Sequence, residues 1–274
     1  MVGAAGGIGS ALVRLLSDDE RVSVVHALTR SPGYPVDGKV WHCSVDITQE
    51  ATIQNAAERV TAAAPLDLVI VATGILHRDD IKPEKSMRDL DAHTMTEVLA
   101  VNAIAPALLA KHFLPRMNRS GKTVFASLSA RVGSIGDNRL GGWASYRASK
   151  AALNMLLKTL AIEQARSRPE SIVAALHPGT VDTPLSAPFQ SRVGQGKLFT
   201  PDAAANYLLE DSDTLGPPVS AGFFAWDVSA IDYCSYSLEG DKVASLGETI
   251  MSRYDSPWTP GFIRRNEIMI EYDL

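Results

Sequence analysis

The chain carries little with which to grip a polyanion. Its 274 residues include 26 Lys and Arg against 31 Asp and Glu, for a net charge of −5. No basic run is long enough to follow a nucleic-acid backbone or an anionic membrane surface, so neither partner is expected. Cysteine is scarce: Cys43 and Cys234 stand far apart without metal-ligand spacing. That excludes a disulfide framework and suits free thiols in a reducing compartment. The histidines (His26, His42, His77, His93, His112 and His177) show no H-x-x-x-H or carboxylate spacing, so no metal site is expected. Uninterrupted apolar runs of bilayer-crossing length are missing, and "LDLVIVATGIL" (66 to 76) reads as a buried strand with its following loop. The N-terminus lacks a basic region before its apolar residues, and Arg14 interrupts them. A signal peptide is a poor reading, and the cytoplasm is the expected location.

What is present is enough apolar sequence for a sizeable core: 46% of residues are hydrophobic and 21% charged, which fits one globular domain. Short β-rich apolar runs at 21 to 28, 39 to 45, 66 to 72, 122 to 128 and 171 to 177 alternate with helical patterns at about 7 to 17, 49 to 63, 94 to 117 and 145 to 167. Such alternation predicts an α/β fold, a parallel sheet with helices on both faces. Beyond residue 177 the pattern loosens into a Pro-, Gly-, Ser- and Thr-rich segment, a candidate substrate lid at about 180 to 200. A short helix near 201 to 210 and an apolar run at 219 to 226 follow. The expected domain spans residues 1 to 228, with 229 to 274 an extension of unassigned role.

The chain opens "MVGAAGGIGSALVRLL". Gly3, Gly7 and Gly9 form G-x-x-x-G-x-G running into a helical pattern, where amides at the helix start can hold a pyrophosphate and missing side chains allow its close approach. A strand ending in "ALTR" follows at the distance expected of a βαβ unit. An acidic residue there would favour a free ribose 2'-hydroxyl. This chain has Thr29 and Arg30 instead, and a guanidinium suits a 2'-phosphate in charge and geometry. NADP is therefore expected in preference to NAD, which stays possible. Only Met1 and Val2 precede Gly3, so the first strand is expected to be truncated, either because the recorded start is internal to a longer chain or because folding and cofactor binding are compromised.

"YRASK" (146 to 150) places Tyr146 and Lys150 four residues apart on one helix face. They are either a proton-donating pair or two ordinary residues of an amphipathic helix. Together with the glycine loop and the alternating elements, this motif resembles the short-chain dehydrogenase/reductase family over roughly residues 1 to 228. Within it, "LSARVGSIGDNRLGGWASYRASKAALNM" is most similar to the C-factor and sniffer-like carbonyl reductases.

The resemblance implies a doubly wound Rossmann-type sheet and an NADP-dependent oxidoreductase that interconverts a carbonyl and an alcohol. Tyr146 is implied as general acid or base, with Lys150 as its partner and a contact of the nicotinamide ribose. Ser129 is implied as the group that hydrogen-bonds the substrate oxygen; Ser127 is the alternative, with Ser134 nearby. Asn102 is implied to complete a proton relay through water. The interval from Ser129 to Tyr146 is longer than usual for the family, through an insertion around "GDNRLGGW". Cofactor contacts are implied for Gly3, Gly7, Ile8, Gly9, Arg30, Asp46, Ile47, Ala72, Gly74, Tyr146, Lys150, Pro178, Gly179, Val181 and Thr183. Asp46 is also a good N-cap for the next helix. Val71, Ala72 and Thr73 depart from the family's usual loop, which puts its stabilising contacts in question. Trp143, beside the tyrosine, either lines a substrate pocket or packs. From the residues alone, a nearby ammonium favours phenolate and brings Tyr146 towards working pH. A nucleotide-binding signalling or regulatory protein with incidental catalysis is the alternative function. The expected partner is a small carbonyl or alcohol substrate, with a homo-oligomer possible.

Overall fold

The computed structural model describes residues 1–31, 38–227 and 229–233. Cys234 and the rest of the expected extension lie outside the described residues. Strands β1 (Val25–Thr29), β2 (Val40–Ser44), β3 (Leu68–Val71), β4 (Thr123–Leu128) and β5 (Ser171–His177) fall on the five apolar runs. Two-residue strands β6 (Thr180–Val181) and β7 (Leu198–Phe199) follow, then β8 (Phe223–Ala225). Helices α1 (Gly7–Asp18), α2 (Glu50–Val60), α3 (Ala92–Leu99), α4 (Ala105–Phe113), α5 (Ala144–Ala165) and α6 (Pro201–Thr214) occupy the intervals.

β1 pairs with β2, and β3 with β4, β5 and β8 in turn, every ladder parallel. Val2 joins the halves by bridging Leu28 on one side and Val71 on the other. Its amide donates to the Ile70 carbonyl at 2.9 Å, and its own carbonyl accepts from Ala72 at 2.9 Å. Val2 thus holds the central position of the sheet as one bridged residue.

Period-two alternation sorts the buried strand residues between the two helical layers. Val124, Ala126, Ile172, Ala174 and Leu176 pack with Leu12 of α1 and Leu208 of α6. Phe125, Val173 and Ala175 point the other way, into a cluster with Ile53 of α2, Leu109 and Phe113 of α4, and Leu153 and Leu157 of α5. Both sheet faces are covered, which is why these runs lack the polar alternation of a half-solvated sheet.

The helix expected over 94 to 117 is continuous but uneven. Between α3 and α4, Ala100–Ile104 winds as a π-turn that closes with the Ala105 amide on the Ala100 carbonyl. The cause is Pro106: it has no N–H to give the Asn102 carbonyl, and the wider turn absorbs the mismatch. The run Ala92–Arg116 is long and apolar enough to cross a membrane by length and composition, yet 56% of that apolar window is buried inside the protein. Its apolarity belongs to the core.

Beyond β5, β6 and β7 pair in parallel, Thr180 with Leu198 and Val181 with Phe199. They fasten both ends of the 182 to 197 segment. Residues 229 to 233 turn back along β8: Ile231 donates to the Phe223 carbonyl at 2.7 Å, and the Tyr233 hydroxyl to Ala221 at 2.7 Å.

Candidate active site

A cleft of about 370 Å³ opens at the carboxyl ends of the central strands, lined by Gly3, Gly6, Thr29, Arg30, Asp46, Ile47, Thr48, Ala72, Thr73, Gly74, Arg78 and Val101 among others. Ligands of doubly wound sheets bind at this crevice. Its floor depends on glycine. Gly3 has φ +82, and a Cβ there would stand 2.9 Å from the Thr73 methyl. A Cβ on Gly9 would meet the Gly3 carbonyl oxygen at 2.1 Å, so helix and turn can approach only without a side chain. At Gly7 a Cβ would stand 2.7 Å from the Thr183 methyl, which brings the loop after β5 against the glycine turn. Helix α1 has Gly6 at its N-cap and no side-chain cap, leaving its first-turn amides for an anion. The Thr73 hydroxyl is buried with no protein partner. A side-chain-free cradle, uncapped amides and an orphaned hydroxyl fit a dinucleotide.

Arg30 is exposed at the cleft wall and, among the described residues, makes no hydrogen bond or ion pair. Its charge helps hold Asp46 low, although the larger cause is the bond from Thr48. Asp46 does not cap the next helix. Gln49 occupies that position, while Asp46 Oδ1 accepts the Thr48 amide at 3.0 Å and hydroxyl at 2.7 Å. With β2 ending at Ser44 and helix α2 starting at Glu50, Asp46 closes an Asx turn inside the connection.

Tyr146 and Lys150 stand on the first turns of α5, and Asn154 continues their face at the next four-residue step. Lys150 is 3% exposed, and its Nζ donates to the Leu128 carbonyl at 2.8 Å. Gly133 allows this depth: a Cβ there would lie 2.8 Å from Lys150 Cβ. The lysine lies 5.8 Å from the Tyr146 ring centroid. Burial lowers its amine to about 8 and raises the Tyr146 phenol to about 12. This reverses the direction read from the sequence, because the lysine is bonded to a strand carbonyl rather than the phenol, and burial disfavours both charged forms.

Ser129 follows β4 and is buried, and its hydroxyl donates to Asn154 Oδ1 at 2.6 Å. Ser127 lies two residues back on the same face, paired with Val71 and Ala175, its hydroxyl buried without a partner. Ser134 donates to the Asp232 carbonyl at 2.6 Å, a structural use. Of the three, Ser129 is at the strand end, next to the carbonyl that holds Lys150.

Asn102 is 0% exposed. It accepts the Ile75 amide at 2.8 Å and donates to the Ile75 carbonyl at 2.8 Å and Ser149 Oγ at 3.1 Å. A Cβ on Gly74 would be 3.5 Å from Asn102 Oδ1 and 3.7 Å from Lys150 Nζ, so loop, asparagine and lysine converge. These bonds supply the loop stability that Val71, Ala72 and Thr73 left in question. Both Asn102 Nδ2 hydrogens are committed to these bonds, and its backbone carbonyl lacks the donor that a residue other than Pro106 would supply.

After β5, Pro178 and Gly179 turn the chain, with φ +76 at Gly179 and the Phe199 ring 2.6 Å from where its Cβ would be. Val181 is buried in β6. His177, which the sequence left among structural histidines, ends β5 with Nδ1 buried and unpartnered, its imidazole lowered to about 4 chiefly by burial. Sequence reasoning also missed Thr48, Arg78 and Val101 in the cleft, and it named Thr73 only as a departure from the family's loop. The most distant omission is Glu84. Its buried carboxylate accepts the Ser145 hydroxyl, and the Ser145 amide at 3.3 Å, beside Tyr146. Among the described residues no three His, Cys, Asp or Glu side chains gather as a metal site.

The family described as short chain dehydrogenase matches residues 1–194. The chain is 30% identical over 224 residues to 1-hydroxy-2-glutathionyl-2-methyl-3-butene dehydrogenase of Rhodococcus sp. (strain AD45), covering 81% of this chain and 93% of that protein. It is 30% identical over 149 residues to C-signal of Myxococcus xanthus, covering 54% and 84%. Among solved structures, the NADPH-bound carbonyl reductase from chicken fatty liver is 25% identical with a TM-score of 0.72, over 84% of this chain and 92% of that one.

Proposed function

This chain belongs to the short-chain dehydrogenase family, and on that premise we propose that it is an NADP-dependent carbonyl reductase using Tyr146 as its proton donor. The observation that carries the reading is the convergence of Tyr146, Lys150, Ser129 and the Asn102 loop at the carboxyl end of the sheet, beside a cleft walled by Arg30. The similarity to an NADPH-bound carbonyl reductase supports the same cofactor and substrate class. When bound, the nicotinamide dinucleotide supplies the hydride.

The protein's own residues do the rest. Gly3, Gly7, Ile8 and Gly9 hold the pyrophosphate against the start of α1. Arg30 pairs with a 2'-phosphate, while Asp46, Ile47, Ala72 and Gly74 line the adenosine side. Pro178, Gly179, Val181 and Thr183 border the nicotinamide end. Ser129 donates to the substrate oxygen and steadies the charge that grows there. Tyr146 then gives that oxygen its proton. With its phenol raised to about 12 by burial, Tyr146 holds its proton at neutral pH, which is the form reduction requires of a donor. Lys150, near 8, restores the proton and holds the cofactor ribose, and the Asn102 carbonyl steadies the water that links lysine to solvent.

Tyr146→Phe keeps the ring and removes the proton. Purified variant protein should bind NADPH as wild type does while carbonyl reduction falls at least about 100-fold, the contribution of a positioned general acid. Unchanged turnover would refute the assignment. The similarity to C-signal favours a second reading, a nucleotide-binding signal; the assembled Asn102, Ser129, Tyr146 and Lys150 set speaks for catalysis.

A further inference from the structure

The mechanism leaves unused a group of aromatic rings at its centre. The Trp143 indole meets the Tyr146 ring edge to face, with centroids 6.4 Å apart and an interplanar angle of 79°. Its centroid is 4.8 Å from that of Phe189, whose ring in turn stands 5.7 Å from His77. Trp143 belongs to the insertion before α5, Phe189 to the segment fastened by β6 and β7, and His77 to the loop after β3. Three chain segments far apart in sequence thus form a chain of rings that ends on Tyr146 through Trp143.

Neither Trp143 nor Phe189 joins any of the three clusters that form the described core. This contrasts with Trp226, which joins Phe199 and Tyr207 but also packs against the main core. Large rings beside a reacting group, half-buried and outside the core, are lining rather than filling.

The backbone places Trp143 deliberately. It has φ 53 and ψ 43, a left-handed conformation that is a genuine outlier for a bulky residue. The surroundings over-determine it. The Trp143 amide donates to the Glu84 carbonyl at 2.6 Å, the Glu84 carboxylate grips Ser145, and the Arg147 guanidinium donates to the Gly141 and Gly142 carbonyls at 3.2 and 3.0 Å. Strain held this firmly next to a reactive group is characteristic of functional positions. His77 Nε2 lies 3.1 Å from the Pro184 carbonyl oxygen and 3.2 Å from that of Leu185, tying the lid down on the same side.

We infer that Trp143 and Phe189 form a specificity wall for carbonyl substrates that carry an aromatic ring next to the reacting carbon. With the substrate oxygen at Tyr146 and Ser129, an aryl substituent reaches the indole, and Phe189 closes beside it. Ring-on-ring contact favours an aryl over a saturated ring of the same size by about three- to tenfold. This substrate class rests on the carbonyl reductase reading.

The test compares benzaldehyde with cyclohexanecarbaldehyde, alike in size and differing in aromaticity, by kcat/KM with NADPH in wild type, Trp143→Leu and Phe189→Leu. Binding of benzyl alcohol and cyclohexylmethanol, followed by saturation-transfer NMR, makes the same comparison without turnover. Wild type should favour the aryl compound in both assays, and each variant should bring the ratio to within about twofold, with Trp143→Phe restoring part of it. Phe189→Leu leaves the start of α5 untouched, so the test survives should Trp143→Leu fail to fold. Equal handling of the two rings by wild type, or a preference that persists in the variants, overturns the inference. Selective aryl binding without turnover of either aldehyde would uphold the wall and refute the reductase reading.

Discussion

Removing the Asn102 side chain probes how the active-site loop is held. In Asn102→Ala, the Ile75 amide and carbonyl each lose a 2.8 Å bond and Ser149 Oγ loses one at 3.1 Å. Ser149 still donates to the Tyr146 carbonyl at 2.8 Å, so its loss is minor. The two Ile75 backbone groups are the main cost, because a buried polar group without a partner loses about 1–3 kcal/mol. With a water entering the vacated space to recover some of that, the expected destabilisation is about 2–4 kcal/mol. For a domain of this size that lowers the melting temperature by about 10 °C. Thermal unfolding by circular dichroism gives the stability, and nicotinamide fluorescence gives NADPH affinity, which should weaken because Gly74 and Ile75 line the cleft. Ser149→Ala is the control, with a loss of about 1 kcal/mol. A fall of less than about 2 °C in Asn102→Ala, with NADPH affinity intact, would refute the argument that these bonds hold the loop.

Two further outcomes follow from charges. Arg30→Ala should weaken NADPH by about tenfold or more while leaving NADH nearly unchanged, since only the former carries the phosphate that a guanidinium fork fits; equal losses in fluorescence titrations would remove Arg30 as its reader. Asp211 is 1% exposed, with Oδ2 unpartnered, and burial first, then Asp227 and Glu210, raises its carboxyl from 3.8 to about 6. Because the folded value lies above the unfolded one, the folded state binds the extra proton, and that stabilisation is complete below 3.8 and lost as pH rises through 6. Asp211→Asn should therefore come close to wild type near pH 4 and exceed it by about 3 kcal/mol at pH 7.5. Urea unfolding at the two pH values decides, and a pH-independent difference would contradict the burial argument.

Much of the fold was legible because it rests on short-range regularities. The five apolar runs became five strands, since short β-rich runs between helical patterns suit a sheet covered on both faces. The glycine spacing was equally informative, because contact between α1 and its preceding turn requires a missing Cβ at Gly9. The missing donor at Pro106 can be absorbed by a kink or by a π-turn, and this chain takes the latter. Asp46 misled because Asx turns and helix caps draw on the same residue types. The direction of the Tyr146 shift was out of reach: it depends on where Lys150 spends its hydrogen bonds and how much solvent reaches the phenol, both tertiary facts.

The same division runs through the site. Tyr146 and Lys150 are local, four positions apart on one helix. What fixes their helix is remote. Glu84 reaches the start of α5 across 61 positions, and nothing near residue 84 signals a cap for another element's first turn. The insertion "GDNRLGGW" was visible as extra length, but its consequence, a tryptophan forced into left-handed geometry and aimed at the tyrosine, appears only where Glu84 and Arg147 clamp it. Local motifs in this protein therefore carry the reaction class, whereas contacts between distant segments shape the surroundings of Tyr146. That is the physical reason the reaction class was readable from sequence while the substrate was not, and why the discriminating substitutions lie at Trp143 and Phe189 rather than within "YRASK".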